Sequence, residues 1–261
     1  MSRLPITSGK STPDRLSVKQ KNRLEAEGKF ERLWKTNPQQ FNPDRHIMDK
    51  TRIDRIVEAI HLPPGKGVDL GLGWGKVSDK LIEKGFEMEG VDISSIALDH
   101  YEGKARKIND FVPYTKLEDN SYRLVMALDL IAELPDTDRR LLMSEMSRLV
   151  TSDGKVVIST PIDIDAEDAI ARFLNLIETE FIIEDIVASF HAFWIRLFRY
   201  KFLRPIIRNS EFILRQLENL ARFLKQDDAI SHLIVVGHRK PLYVPPVEVP
   251  TELKGKKMVW E

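Results

Sequence analysis

Apolar residues recur along this chain in short runs and in helical spacing by turns, and their order predicts most of its elements. Val68 and Leu70 flank Asp69 as the end of a short buried strand, and from Lys76 the residues Val77, Leu81 and Ile82 repeat at helical spacing up to Gly85. Phe86 to Ile93 reads as a second strand, and Ser94 or Ser95 caps a helix running towards Gly103. A third strand is expected within Ala105–Val112 and a fourth within Asn120–Leu130. A helix opened by Thr137 or Asp138 then runs through Val150. After a turn at Ser152-Asp153-Gly154, Lys155–Thr160 is a buried strand, Asp165–Glu178 a helix and Phe181–Val187 a sixth strand, with a late apolar run at His232–His238. Upstream, Leu24–Trp34 can form a helix that Asn37-Pro38 and Asn42-Pro43 break, and Ile53, Ile56, Val57 and Ile60 share one helical face before Pro63-Pro64. Strands alternating with helices in this way predict an α/β, doubly wound sheet.

The sharpest chemical signal is Val68-Asp69-Leu70-Gly71-Leu72-Gly73-Trp74-Gly75, followed one helix later by Gly90-Val91-Asp92-Ile93. Three glycines at alternate positions let the main chain turn without side chains in the way, so a bulky ligand can lie against bare backbone. Asp92 falls about twenty positions after Gly71, at the carboxyl end of the second strand, where an acid can accept both ribose hydroxyls of a nucleoside. The dinucleotide fingerprint G-x-G-x-x-G would place its third glycine where this chain has Lys76, and the spacing here is G-x-G-x-G instead. A carboxylate at Asp69, two residues ahead of the turn, suits a ligand with cationic groups better than a diphosphate.

On these residues the chain resembles the class I S-adenosylmethionine-dependent methyltransferases, whose first motif reads D-x-G-x-G-x-G. The resemblance covers about residues 50–190, including a fourth strand around Tyr122–Leu128 and a G-K-V-V-I-S fifth strand. It resumes at 232–238, which fits the family's antiparallel seventh strand. It implies a Rossmann-like, seven-stranded sheet with S-adenosylmethionine as cofactor. By matching position it also implies roles: Asp69 towards the methionine amino group, Gly71, Leu72, Gly73, Trp74 and Gly75 around the carboxylate and ribose, Asp92 on the ribose hydroxyls, and Ile93 beside the adenine. Asp110 would accept from the adenine amino group with Phe111 near the ring, and Leu128 and Asp129 would lie against the methionine portion. The interval from Asp110 to Glu118-Asp119-Asn120 is about one residue longer than the family's, which leaves Asn109 as an alternative to Asp110. Where many relatives carry Glu-His after the fourth strand this chain has Ala132-Glu133, so no histidine base is available there.

Composition narrows the partners. A chain of 261 residues with one such sheet accommodates an arm over 1–22, a domain over 23–240 with its cofactor-binding core at 45–188 and a helical insertion or lid at 189–228, and a tail over 241–261. There is no cysteine, so thiolate catalysis and disulfides are excluded, and the six histidines make no metal-ligand spacing with one another, so no metal is expected. Forty basic residues balance forty acidic ones, which argues against a general nucleic-acid binder. No long apolar span or signal core is present, and the expected location is the cytoplasm, with membrane association through the insertion as an open addition.

That insertion is the individual part of the chain. Residues 191–225 hold Arg196, Arg199, Lys201, Arg204, Arg208, Arg215, Arg222 and Lys225 against Glu211 and Glu218, a local charge of +6 interleaved with Phe193, Trp194, Phe198, Tyr200, Phe202, Phe212 and Phe223. Pro205 separates two expected helices, the second with an apolar stripe of Ile213, Leu217, Leu220 and Leu224 opposite Arg208, Arg215 and Arg222. Three readings stay open for it: a lid over an apolar substrate, an interface between copies, or an interfacial segment whose arginines meet anionic headgroups over residues 189–225. His191 and Glu133 are candidate acid–base groups, each with an ordinary structural alternative, and no catalytic residue is assigned. The function read from the sequence is methyl transfer to an oxygen, nitrogen or carbon atom of a small or lipid-like acceptor. The alternatives are an inactive binding protein on the same fold and a dinucleotide-dependent oxidoreductase.

Overall fold

The computed structural model describes residues 18–43, 47–163, 166, 168–189, 210–224 and 230–241. Seven strands, β1 (Lys66–Leu70), β2 (Glu87–Asp92), β3 (Arg106–Asn109), β4 (Tyr122–Leu128), β5 (Val150–Pro161), β6 (Phe181–Ser189) and β7 (His232–Arg239), form one sheet in the order β3-β2-β1-β4-β5-β7-β6. The neighbours from β3 to β5 pair in parallel, and β7 runs antiparallel between β5 and β6. Helices α1 (Val18–Thr36), α2 (Ile47–Ala59), α3 (Lys76–Glu83), α4 (Ser95–His100), α5 (Leu130–Glu133), α6 (Asp136–Leu149), α7 (Ala169–Ile177) and α8 (Glu211–Phe223) accompany it. The expected doubly wound sheet with an antiparallel seventh strand is the one observed.

Burial on both faces explains why the strands read as unbroken apolar runs. Val125, Val156, Ile158 and Val235 pack with Met143, Met146, Phe173 and Ile177 of α6 and α7. The alternate residues Leu124, Met126, Val157 and Ile234 pack with Ile53, Ile56, Val77 and Leu81 of α2 and α3. Strand order reverses at β1, whose neighbours are β2 and β4, and a crevice opens there at the carboxyl ends.

Several expectations are corrected by the packing. Helix α1 begins at Val18, so the arm expected over 1–22 gives its last residues to a helix. Val150 belongs to β5 and not to the preceding helix. Tyr122 pairs with Val150 and Leu124 with Lys155, so Thr151–Gly154 bulges out of the ladder where a separate turn was expected. Helix α6 opens earlier, at Asp136 after Pro135, and the short α5 follows β4 directly. In α8 the buried residue is Leu214, while Leu220 and Leu224 of the expected stripe are exposed. Arg215, expected opposite the apolar stripe, reaches Glu58 at 3.0 Å and Asp54 at 3.4 Å on α2, so α8 docks on α2 through charge as well as apolar contact. The first insertion helix and His191 lie outside the described residues.

Close packing leaves no room for a side chain at Gly75 in the glycine turn or at Gly90 beside it. Gly75 has φ of 60°, and a Cβ there would lie 2.3 Å from the Tyr101 ring, which is itself buried and held by Asp79. Gly90 is closed in the same way, because its missing Cβ is where the Leu72 side chain sits, 2.5 Å away. Gly75→Ala combines a strained backbone with a ring clash and is expected to cost more than about 2 kcal/mol, read as a lowered urea midpoint at unchanged slope.

Candidate active site

A cavity of about 430 Å³ opens above the carboxyl ends of β1, β2 and β4. Of the residues singled out in the sequence, Asp69, Gly71, Leu72, Gly73, Trp74, Gly75, Asp92, Ile93, Phe111, Leu128 and Asp129 line it together. Asp110 does not. Its two oxygens accept from the main-chain N–H groups of Phe111 at 2.8 Å and Lys116 at 2.9 Å, so it shapes the turn that presents Phe111. Asn109, the alternative, donates its amide to the carbonyls of Asp92 and Ile93.

The glycine turn is folded by the end of β2. Gly71 N and Leu72 N both donate to Val91 O, at 2.8 and 2.9 Å, and Gly73 N donates to Asp92 Oδ2 at 3.0 Å. The other oxygen of Asp92 accepts from Ser94 N at 2.9 Å, while the Ser94 hydroxyl caps α4 by accepting from Ala97 N. Asp92 therefore ties loop, strand and helix together, and each of its oxygens keeps a further lone pair. Burial raises its pKa, against the lowering effect of these backbone donors.

Asp69 is in a harsher place. It is 3% exposed, Ser78 Oγ donates to one oxygen at 2.7 Å, and the other oxygen has no partner. Desolvation, only partly offset by Ser78 and reinforced by the Asp92 charge, pushes its carboxyl up to about 7. Asp69 lines the cavity beside bare main chain, and its orphaned buried oxygen fits a ligand with a cationic group at that end.

The wall beyond β1 holds residues that pattern reading missed. Asp129, with φ of 60°, accepts from Ser159 Oγ at 2.8 Å, stands 2.7 Å from His232 Nε2 and pairs with Arg52 at 3.3 Å. Arg52 Nη1 lies 3.5 Å from His232 Nδ1. A guanidinium can only donate, so Nδ1 accepts from Arg52, which leaves the ring proton on Nε2 beside Asp129. Asp129 sits deep in the molecule, yet 39% of its side chain is open to the cavity. Burial alone would raise its pKa, but His232, Arg52 and Ser159 outweigh this and bring it to about 2. Signals for this group were faint: Arg52 beside the apolar stripe of α2, and His232 opening a strand.

The roof over the described cavity comes from the N-terminal helices. Phe30 and Trp34 of α1, Phe41 of the following 3₁₀ turn and Ile53 and Ile56 of α2 line it. Trp34, 3% exposed, stacks on Phe41 at 5.1 Å and on His100 at 5.8 Å, with Trp74 at 5.7 Å. Two ion pairs strap this roof across the opening, Lys29 to Glu133 at 2.8 Å and Arg52 to Asp129. Glu133, a candidate base in the sequence, is thus held by Lys29.

Fold and site together define a class I S-adenosylmethionine-dependent methyltransferase. The model of a methyltransferase-domain family matches residues 31–222, and the chain belongs to that family. It is similar to the ubiquinone biosynthesis O-methyltransferase of Pseudomonas aeruginosa, 25% identical over 194 residues that cover 68% of this chain and 75% of that one. In structure it is similar to the N-methyltransferase NodS of Bradyrhizobium japonicum, in complex with S-adenosylhomocysteine, at 11% identity, TM-score 0.57 and coverage of 83% and 99%. It is also similar to the methyltransferase partner of the Trm112 activator from Haloferax volcanii, at 13% identity, TM-score 0.58 and coverage of 81% and 98%.

The buried Asp69 carries a consequence for stability. In the unfolded chain its carboxyl ionises near the ordinary 3.8, and in the fold it keeps its proton to about 7. The folded state therefore binds more protons between these values, and stability falls as pH rises from about 4 to about 7. Asp69→Asn is expected to remove this slope, gaining up to about 4 kcal/mol relative to the parent at pH 8 and far less at pH 4, as measured by urea denaturation at both pH values.

Proposed function

We propose that this methyltransferase alkylates an oxygen, nitrogen or carbon nucleophile of a small or lipid-like, uncharged acceptor. The observation that carries this is the pairing of charge in the cavity wall beyond β1: Glu133 is matched by Lys29, and Asp129 by Arg52, with Phe30, Ile56, Leu130 and Leu134 between and around them. Such a wall compensates its own charges and leaves apolar surface to an acceptor body. The Pseudomonas aeruginosa relative, named for O-methylation in ubiquinone biosynthesis, supports an oxygen nucleophile and an amphipathic acceptor.

When bound, S-adenosylmethionine supplies a methyl group already activated on positively charged sulfur. The protein's part is then to hold both reactants in line at near-contact distance and to exclude water. Asp69 meets the methionine ammonium, and the main chain from Gly71 to Gly75 wraps the carboxylate and ribose. Asp92 takes the ribose hydroxyls through its remaining lone pairs, and Ile93 and Phe111 flank the adenine, with Asp110 acting through the turn it holds. Leu128 and Asp129 border the methionine portion on the acceptor side. Trp34 and Phe41 close the roof against solvent.

Peripheral contact with a membrane through residues 189–225 belongs to the same proposal. In α8, Phe212 is 71% and Phe223 82% exposed, beside exposed Leu220 and Leu224, and the surrounding sequence is strongly basic. No helix among the described residues is long and apolar enough to cross a membrane.

Calorimetry with S-adenosylhomocysteine tests the site: Asp92→Ala is expected to weaken binding by more than about 1 kcal/mol, because two hydroxyls lose a charged acceptor. Unchanged affinity would make Asp92 purely structural. For the acceptor, methyl-labelled cofactor incubated with enzyme and lysate is expected to place label in the organic extract. Phe212→Ser with Phe223→Ser is expected to reduce flotation with anionic vesicles while leaving cofactor affinity unchanged. Label confined to the aqueous phase, together with parent protein that does not float, would defeat the lipid-like assignment.

A further inference from the structure

Beyond β1 the cavity wall is largely apolar, with Ile56, Leu128, Leu130 and Leu134 in its lining, and Asp129 interrupts it. Glu133 on the same stretch is matched by Lys29, and the Ser159 hydroxyl is committed to Asp129. Asp129 has a left-handed backbone, φ 60°, which is uncommon away from glycine, and its main-chain N–H donates to Ser159 O at 3.0 Å. Its Oδ1 accepts from Ser159 Oγ at 2.8 Å and stands 2.7 Å from His232 Nε2, while Oδ2 has Arg52 Nη2 at 3.3 Å. A carboxylate oxygen can take two donors, so Oδ2 keeps capacity for one more, and 39% of the side chain stays open. Residues from β5, β7 and α2 thus fix one carboxylate on the cavity wall. In the sheet, Asp92 ends β2 on one side of β1 and Asp129 follows β4 on the other. An acceptor that approaches the glycine turn from the β4 side therefore meets Asp129.

We infer that Asp129 seats the acceptor by taking a hydrogen bond from its nucleophilic O–H or N–H group, so that the methylated atom is oxygen or nitrogen and not carbon, with Arg52, Ser159 and His232 as positioning residues. The inference rests on the methyl transfer proposed above and narrows its acceptor. An apolar wall holds the body of an acceptor but does not fix which atom it presents, and a hydrogen bond to a charged group supplies that orientation. The same neighbours keep the pKa of Asp129 low, about 2, so the carboxylate accepts without having first to lose a proton. In the transfer a lone pair on the acceptor oxygen or nitrogen forms the bond to the methyl carbon, and the carbon–sulfur pair returns to sulfur. An oxygen product sheds its proton to the carboxylate, which passes it to solvent, and a nitrogen product sheds it to solvent directly. No further reactant is required.

The experiment uses the full-length protein, methyl-labelled S-adenosylmethionine and a protein-free lysate extract as the source of acceptor. Labelled product, separated from the cofactor, is boiled in hydriodic acid, which frees methyl groups on oxygen as methyl iodide. Dry heating then frees those on nitrogen, while methyl on carbon resists both steps. The parent's label is expected to leave in one of the two steps, and which one tells oxygen from nitrogen. Asp129→Asn, verified as folded by circular dichroism, is expected to bind S-adenosylhomocysteine nearly as the parent does in calorimetry and to transfer label about a hundredfold more slowly. Arg52→Met is expected to slow transfer, and Arg52→Lys, which keeps a cation beside Asp129, to recover most of the rate. Label that resists both steps, transfer by Asp129→Asn at the parent's rate, cofactor affinity that falls in step with transfer in that variant, or no recovery in Arg52→Lys overturns the inference and leaves methyl transfer standing. The product chemistry needs no variant, so it decides even where Asp129→Asn does not fold. A parent that labels nothing in the extract would instead overturn the reading beneath.

Discussion

The contact on which the rest of the site depends is the junction between the first glycine turn and the end of β2. Val91 O receives two main-chain donors from the turn and Asp92 a third, so three consecutive N–H groups from Gly71, Leu72 and Gly73 are committed to one neighbouring strand. A turn stripped of side chains would otherwise sample many shapes, since glycine loses more freedom on folding than any other residue. Here its shape is set by parallel pairing of β1 with β2, by Leu72 filling the space left by Gly90, and by Tyr101 closing on Gly75. Fold and cavity floor are thus held by the same set of hydrogen bonds.

Above this floor the charges follow two different strategies. Asp129 is surrounded by donors and stays ionised, fixed by Ser159, His232 and Arg52 drawn from β5, β7 and α2. Asp69, on the strand beside it, has been given almost nothing. The first arrangement fixes the side chain's geometry, and the second leaves a buried oxygen without a partner. Two acids of the same type, near each other at the carboxyl edge of one sheet, thereby have their pKa values pushed in opposite directions by their surroundings.

What the sequence made legible was what depends on local pattern. The glycine spacing, Asp69 and Asp92 were readable because a βαβ unit confines them to one stretch of chain, and the order and type of the seven strands followed from apolar runs separated by turn residues. Asp110 does not line the cavity, because its side chain holds its own turn, a local competition that position counting ignores. A lid from the insertion is one of three readings of that segment, drawn from aromatics that stand out in composition. The described roof instead rests on a few large residues in α1, where Trp34 is buried inside an otherwise polar helix. The Asp129–His232–Arg52 group was illegible for a different reason: its members come from three distant segments, and only tertiary packing brings them within 4 Å.

Strand β7 has a position that bears on how the molecule comes into being. It lies between β5 and β6, antiparallel to both, and it delivers His232 to Asp129. While the nascent chain is still on the ribosome, β6 has no neighbour to join and β5 presents a bare edge, until this later stretch emerges and slots between them. Insertion of β7 therefore completes the sheet and the surroundings of Asp129 together, and a chain without it exposes unpaired edges on both β5 and β6.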